Sequence, residues 1–261
     1  MVSKLAAGWR IQRRVIGALM IRELITRFGR ENIGFLWVMV EPLLFGLLVG
    51  LIWSYAKGPE EHGVSIIAFV VTGYLPLTLF RNSVNRAVKV FTVNSSLMYH
   101  RQITLTDFIF VRFLIEMIGG MMAYLVVGLL LIYLDLFPVP FDIGWLIVGW
   151  LVYCAFTLSL CFVLAPLSEM SDVLEKMMPV TTYVIIPFSG TFNMASWVTP
   201  DAREVLLYSP FVNAMKMMRY GVFGDNVTAY FGFGVPIAAT MFFLAIGLIL
   251  CRKVRRILVV E

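Results

Sequence analysis

Apolar runs recur six times along these 261 residues, and they constrain the fold more than any other feature of the chain. Where water is absent, a backbone must satisfy its own hydrogen bonds, so a helix of roughly 20 mostly apolar residues is the natural spanning unit. The runs lie at Gly34 to Ala56, about Ser65 to Phe80, Phe108 to Leu134, Gly144 to Ala165, Met178 to Phe192 and Tyr230 to Leu250. The second leaves room for its helix to run on past the membrane, and the fifth is short or kinked because it contains Pro179 and Pro187. Hydrophobic residues make up 60% and charged residues 14%, against about 45–50% and about 25% in soluble domains. A water-soluble enzyme is excluded, and little chain is left for a separate catalytic module. The expected fold is an all-α membrane protein with six transmembrane helices.

Six crossings put both termini on one side, and the basic residues say which. Lys4, Arg10, Arg13, Arg14, Arg22, Arg27 and Arg30 precede the first run, the polar loop from Arg81 to Asp107 adds more, and Arg252, Lys253, Arg255 and Arg256 form the tail. The opposite side carries only Lys57, Arg203, Lys216 and Arg219. Both termini are therefore expected in the cytoplasm. Three segments follow: residues 1–32 as a cytoplasmic N-terminus with an interfacial helix, 33–250 as the six-helix domain, and 251–261 as a basic tail. The charges Arg10, Arg13, Arg14, Arg22 and Glu23 interrupt the N-terminal apolar positions, so a cleavable signal is not expected. The net charge of +5 forms no basic stripe interleaved with stacking aromatics, which argues against nucleic acid as a partner. Cys154 and Cys161 are about 10 Å apart along one helix, too far to bridge.

Around Arg22, the residues Ile21, Leu24, Ile25 and Phe28 fall on one helical face, with Arg22, Glu23, Thr26, Arg27 and Arg30 on the opposite arc. This predicts an amphipathic helix along the interface, serving either as a lipid anchor or in substrate admission. Between the fifth and sixth runs, Thr199-Pro200 and Ser209-Pro210 each pair an N-capping hydroxyl with a proline suited to the first helical turn. The second helix places Phe211, Met215, Met218 and Val222 on one face, with Asn213, Lys216 and Arg219 off it, and stops at Gly224. Both helices are too short to cross and too apolar for a free loop. They predict a re-entrant helical hairpin at the periplasmic leaflet, or else a surface amphipathic hairpin.

Catalytic signatures are missing. His62 and His100 are the two histidines, and no spacing suits a metal site. Gly58 and Gly63 have the glycine spacing of a phosphate-binding loop, but Val64-Ser65 stands where Lys-Ser or Lys-Thr is required. Arg112 and Glu116, one turn apart near the start of the third run, are expected to pair with one another, the alternative being direct contact with substrate. Glu41 lies inside an apolar run with no local cation and needs a partner on another helix, water or a proton.

The order of basic interfacial helix, six runs, polar loop after the second and hairpin before the sixth resembles the permease subunit of ABC-2 type exporters. Arg22-Glu23-Leu24-Ile25-Thr26-Arg27-Phe28-Gly29, Gly34-Phe35-Leu36-Trp37 and Glu41-Pro42 are similar to the opening of capsular polysaccharide export permeases. Leu97-Met98-Tyr99-His100-Arg101, Asp107 through Arg112 to Glu116, and Ser209-Pro210-Phe211-Val212 extend the likeness over nearly the whole chain. Relatives commonly carry a proline soon after the arginine of the loop motif, and here it is missing.

The resemblance implies a homodimer in the bacterial inner membrane, bound to two cytoplasmic ABC ATPase subunits that hold ATP and magnesium, with no cofactor or metal in this chain. It implies a lipid-linked capsule polymer as substrate, with a periplasmic polysaccharide copolymerase and an outer-membrane channel as further partners. Within that frame Leu97, Met98, Tyr99, His100 and Arg101 are candidates for ATPase coupling. Arg22, Arg27, Arg30, Trp37 and Glu41 are candidates for receiving the lipid head. For the glycan path and its outer gate the candidates are Tyr74, Phe80, Trp197, Tyr208, Phe211, Lys216, Arg219 and Tyr220. An exporter of another lipid-linked glycan, such as O antigen or teichoic acid, or of a small amphiphile is the alternative within transport. A membrane-bound glycan-modifying enzyme would need convergent acid, base or metal residues that the sequence does not present, and a purely structural anchor is the third option.

Overall fold

A computed structural model describes residues 4–28, 34–98, 103–192, 194 and 198–258. Among them are ten helices: α1 (Lys4–Phe28), α2 (Gly34–Lys57), α3 (Ile66–Ala87), α4 (Val90–Val93), α5 (Leu105–Tyr133), α6 (Ile143–Met170), α7 (Asp172–Val184), α8 (Pro200–Leu207), α9 (Pro210–Phe223) and α10 (Gly234–Leu258). A two-residue antiparallel pair, β1 (Glu60–Glu61) and β2 (Val64–Ser65), closes the turn from α2 to α3.

Among the described residues α3, α5, α6 and α10 are long and apolar enough to cross a bilayer, and the 24-residue α2 includes the apolar stretch Leu43–Lys57. In the fifth run the helix starts earlier than expected, at Asp172, contains Pro179 and ends at Val184, with a tighter turn over Ile186–Phe188 that holds Pro187. Before this run α6 and α7 form a corner, with Ser171 alone between them. Similarly, α3 continues to Ala87, which takes Arg81 out of the predicted loop and into the helix.

α3 is buried along nearly its whole length and forms the centre of the bundle, with α2, α5, α6, α7 and α9 packed around it. α8 and α9 start at Pro200 and Pro210 as predicted, although neither the Thr199 nor the Ser209 hydroxyl makes the expected capping hydrogen bond, and α9 stops at Gly224, whose φ of 55° suits glycine. The two-faced character read for α9 is not observed. Asn213, Lys216 and Arg219 are as buried as Phe211, Met215 and Met218, because α9 is enclosed between α6, α3 and α10. Glycine makes the α6–α9 contact possible. A Cβ on Gly149 would stand 2.6 Å from the Met218 nitrogen, and one on Gly221 would stand 2.5 Å from the Leu146 nitrogen, so the backbones meet where no larger residue fits. The Asp142 N–H then donates to the Gly221 carbonyl at 2.8 Å, tying the end of α9 to the start of α6.

Candidate functional site

On α1, Glu23 and Arg27 turn toward the protein and Leu19 and Leu24 pack against the core, while Arg10, Arg13, Arg14 and Arg22 are exposed. Ile21 and Ile25 are exposed, whereas the Arg27 side chain is mostly covered. The two arcs read from the sequence do not divide buried from exposed: Arg22 and Thr26 of the polar arc are exposed, and Leu24 of the apolar arc packs against the core. Gln12 Nε2 donates to Asp107, and Arg22 Nη1 donates to Asn94 Oδ1 at 3.1 Å. Glu23 Oε1 pairs with Arg112 Nε at 3.3 Å. Arg27 pairs with Glu116, whose Oε1 also takes Arg86 Nε at 2.7 Å.

The expected Arg112–Glu116 pair therefore does not form. Glu116, only 3% exposed, is bridged by arginines from α1 and α3, while Arg112 reaches Glu23 of α1 and donates from Nη1 to the Arg86 carbonyl at 2.8 Å. A buried carboxylate needs more than one donor, and two separate helices supply them here where a single neighbour on α5 would not suffice. Among the lipid-head candidates, Arg22 is exposed but hydrogen-bonded, Arg27 is neutralised by Glu116, and Glu41 is exposed on α2. Trp37 stands in the first turn of α2, and Arg30 lies outside the described residues.

Below this network, α4 is fastened to the α6–α7 corner. Glu169 accepts the N–H groups of Phe91 and Thr92 at 3.1 Å each and the Thr92 hydroxyl at 2.6 Å, so a carboxylate caps the first turn of α4. The Lys89 N–H donates to Ser168 Oγ at 3.1 Å, and its ammonium pairs with Asp172 at 3.2 Å and Glu175 at 3.7 Å. Its hydrogen bond to Asp172, with the added charges of Glu169 and Glu175, raises the ammonium pKa above the ordinary lysine value. Lys89 takes a left-handed backbone, φ 50°, to make this bend. Of the coupling candidates, Leu97 ends a short turn over Ser95–Leu97, and both Leu97 and Met98 pack partly against the core. Tyr99, His100 and Arg101 lie outside the described residues.

The candidates for the glycan path are divided. Tyr74, Phe80 and Phe211 are buried within the single chain: Tyr74 stacks on Phe45 at 4.4 Å, and Phe211 contacts Phe80, Tyr153 and Phe156 at 4.7 to 5.1 Å. Arg219 donates to the Gly190 carbonyl at 2.8 Å and the Thr191 carbonyl at 2.6 Å, and stands 4.0 Å above the Phe69 ring. It fastens the segment after α7 to α9 and α3. Lys216 donates to the Tyr230 carbonyl at 2.8 Å, and Tyr220 joins a cluster with Phe141, Trp145 and Phe231. Tyr208 is 77% exposed at the end of α8, and Trp197 lies outside the described residues.

Sequence reasoning missed Glu23, Arg86, Asn94 and Glu169 as partners, because the pairing crosses helices far apart in the chain. One signal was legible: Thr104 and Asp107 have capping-box spacing before an apolar run, and the Thr104 N–H donates to Asp107 Oδ2 at 2.8 Å.

Residues 14–223 match the profile of the ABC-2 type transporter family. The capsule polysaccharide export inner-membrane protein BexB of Haemophilus influenzae is 34% identical over 243 residues, covering 93% of this chain and 92% of that protein. The corresponding protein CtrC of Neisseria meningitidis serogroup A is 37% identical over 220 residues, covering 84% of this chain and 83% of its own length. A more distant likeness, 22% over 246 residues, links the polysialic acid transport protein KpsM of Escherichia coli, with 94% of this chain and 95% of that protein covered. With apolar helices suited to a bilayer, a buried charge network on α5 and a family match over most of its length, the chain belongs to the ABC-2 type transporter family.

Proposed function

We propose that this chain is the membrane permease subunit of an exporter that moves lipid-linked capsular polysaccharide outward across the bacterial inner membrane, powered by a separate ABC ATPase. The observation that carries this function is the 34 to 37% identity, over more than four-fifths of the chain, to proteins named for capsule polysaccharide export. Two copies form the permease and two ATPase subunits dock on its cytoplasmic side, with a periplasmic copolymerase and an outer-membrane channel continuing the route. Both termini lie in the cytoplasm, in keeping with the basic residues of α1 and the tail. α2 and α7 complete a six-crossing topology in the assembled dimer, and α8 and α9 form a re-entrant hairpin on the periplasmic side.

The α4 corner suits mechanical coupling. A push from the ATPase on residues 94–101 would reach α6 and α7 through Glu169 and Lys89, and α3 through the same backbone bend. The Arg86–Glu116–Arg27 bridge then extends the movement to α1.

The test is export itself. In host cells lacking the chain, lipid-linked polymer should accumulate inside and surface capsule should disappear, with both reversed by re-expression and a partner ATPase recovered on purification of the chain. Normal capsule in the deleted strain would refute the function.

A further inference from the structure

The cations nominated for the lipid head are largely paired or hydrogen-bonded within the fold, whereas Arg81, which the sequence assigned to a loop, has no carboxylate paired with it among the described residues. Arg27 and Arg86 share Glu116, Arg112 takes Glu23, Arg22 bonds Asn94, and Lys89 takes Asp172. Arg81 sits inside α3, six residues before its end. Among the described residues no carboxylate stands within ion-pairing distance of its guanidinium, and its Nε is buried with no hydrogen-bond partner.

Polar and aromatic side chains of α3, α7 and α2 meet around it. The guanidinium carbon lies 4.1 Å above the ring of Tyr183 on α7, a ring that remains 56% exposed. Tyr74, seven residues earlier on the same face of α3, shares a side-chain hydrogen bond with Arg81 and is within electrostatic reach of Tyr183 and Glu41. On antiparallel α2, Phe45 stacks on Tyr74, and Glu41, one turn away and exposed, approaches the level of Arg81. This cluster thus offers one planar cation held by an aromatic face, phenols beside it, and a side open to the surface of the chain.

We propose that Arg81, positioned by Tyr183, binds the phosphate of a membrane-embedded lipid phosphate where α2, α3 and α7 meet. This rests on the transport function proposed above and names Arg81 as a contact for the anionic linkage of the cargo. A guanidinium can hold two phosphate oxygens in parallel, and low-dielectric surroundings strengthen that contact. The ring of Tyr183 orients the plane without neutralising the charge, as an acidic partner would.

A photoreactive phosphatidic acid, incorporated into phosphatidylcholine nanodiscs holding the permease with its ATPase, tests the site. Labelling should map to α3 or α7 and fall about tenfold or more in Arg81→Gln, since a charge-assisted contact of this kind is worth at least that ratio. Arg81→Lys should recover part of it. Tyr183→Leu, which removes no charge and leaves a buried core residue untouched, should lower labelling about two- to fivefold and serves if Arg81→Gln fails to assemble. Unlabelled phosphatidic acid should compete, and inorganic phosphate should not. Equal labelling of the wild type and either variant overturns the proposal, and so does competition by inorganic phosphate, which would indicate a free-anion site. Labelling reports on the site without the glycan. Capsule export with no Arg81-dependent labelling refutes the site alone, and Arg81-dependent labelling in a chain that exports no capsule refutes the function alone.

Discussion

Replacing Glu116 with glutamine keeps the shape of the side chain and removes the charge that two arginines share. Glu116 is 3% exposed, with Arg27 at 14% and Arg86 at 39%, so the arginine of α1 loses its counter-charge in a nearly closed space while that of α3 retains water. Breaking a buried ion pair by removing one partner costs about 3–5 kcal/mol. The exposed half of Arg86 reduces this, because a wet guanidinium is screened, and about 2–3 kcal/mol remains. That is roughly thirtyfold or more in the equilibrium holding α1 against α5. The loss should be visible as a lower unfolding midpoint of the complex in nanodiscs and as faster amide exchange in α1. Adding Arg27→Met to Glu116→Gln should restore about 1 kcal/mol or more, since the second change removes the uncompensated charge. Glu204→Gln on the exposed side of α8 is the control. If Glu116→Gln matches that control in both measurements, the bridge does not hold α1 and the coupling route through it fails.

Other expectations follow from the same geometry. Gly221→Ala should destabilise the chain by about 1–3 kcal/mol, because the new methyl meets the backbone of α6, whereas Gly128→Ala on α5, with nothing near its Cβ, should be neutral or slightly stabilising in the same melt. Asp172→Asn should weaken the α4 corner and lower transport-coupled ATP hydrolysis with little change in membrane insertion. Because partners raise the Lys89 pKa, its contribution is complete below the ordinary lysine value and is lost as pH rises through the raised one; coupling that depends on it should therefore be flat across neutral pH and decline only in strong alkali. Tyr99→Ala or charge reversal at Arg101 should uncouple ATP hydrolysis from export, and normal transport-stimulated hydrolysis in both variants would place the ATPase contact elsewhere.

Periodicity and capping chemistry, which act within a few residues, made much of the chain legible before any coordinates. The long apolar helices α3, α5, α6 and α10, the proline-led starts of α8 and α9, and the stop at Gly224 follow from local preferences that lipid and packing both satisfy. The helix α1 was legible for the same reason. Tertiary structure decided what its side chains meet. Only contact between segments about 90 residues apart brings Arg27 to Glu116, and only the enclosure of α9 turns Lys216 and Arg219 from apparent surface charges into internal donors. Sequence spacing marks which side chains can be neighbours on one helix, but Arg112 and Glu116 show that a nearer partner in the chain yields to a better-placed one in space. The physical reason is the expense of burying charge: each buried ion takes whatever partners the folded bundle brings to it, and Arg81 takes the Tyr74 side chain and the ring of Tyr183, with no carboxylate paired to it among the described residues.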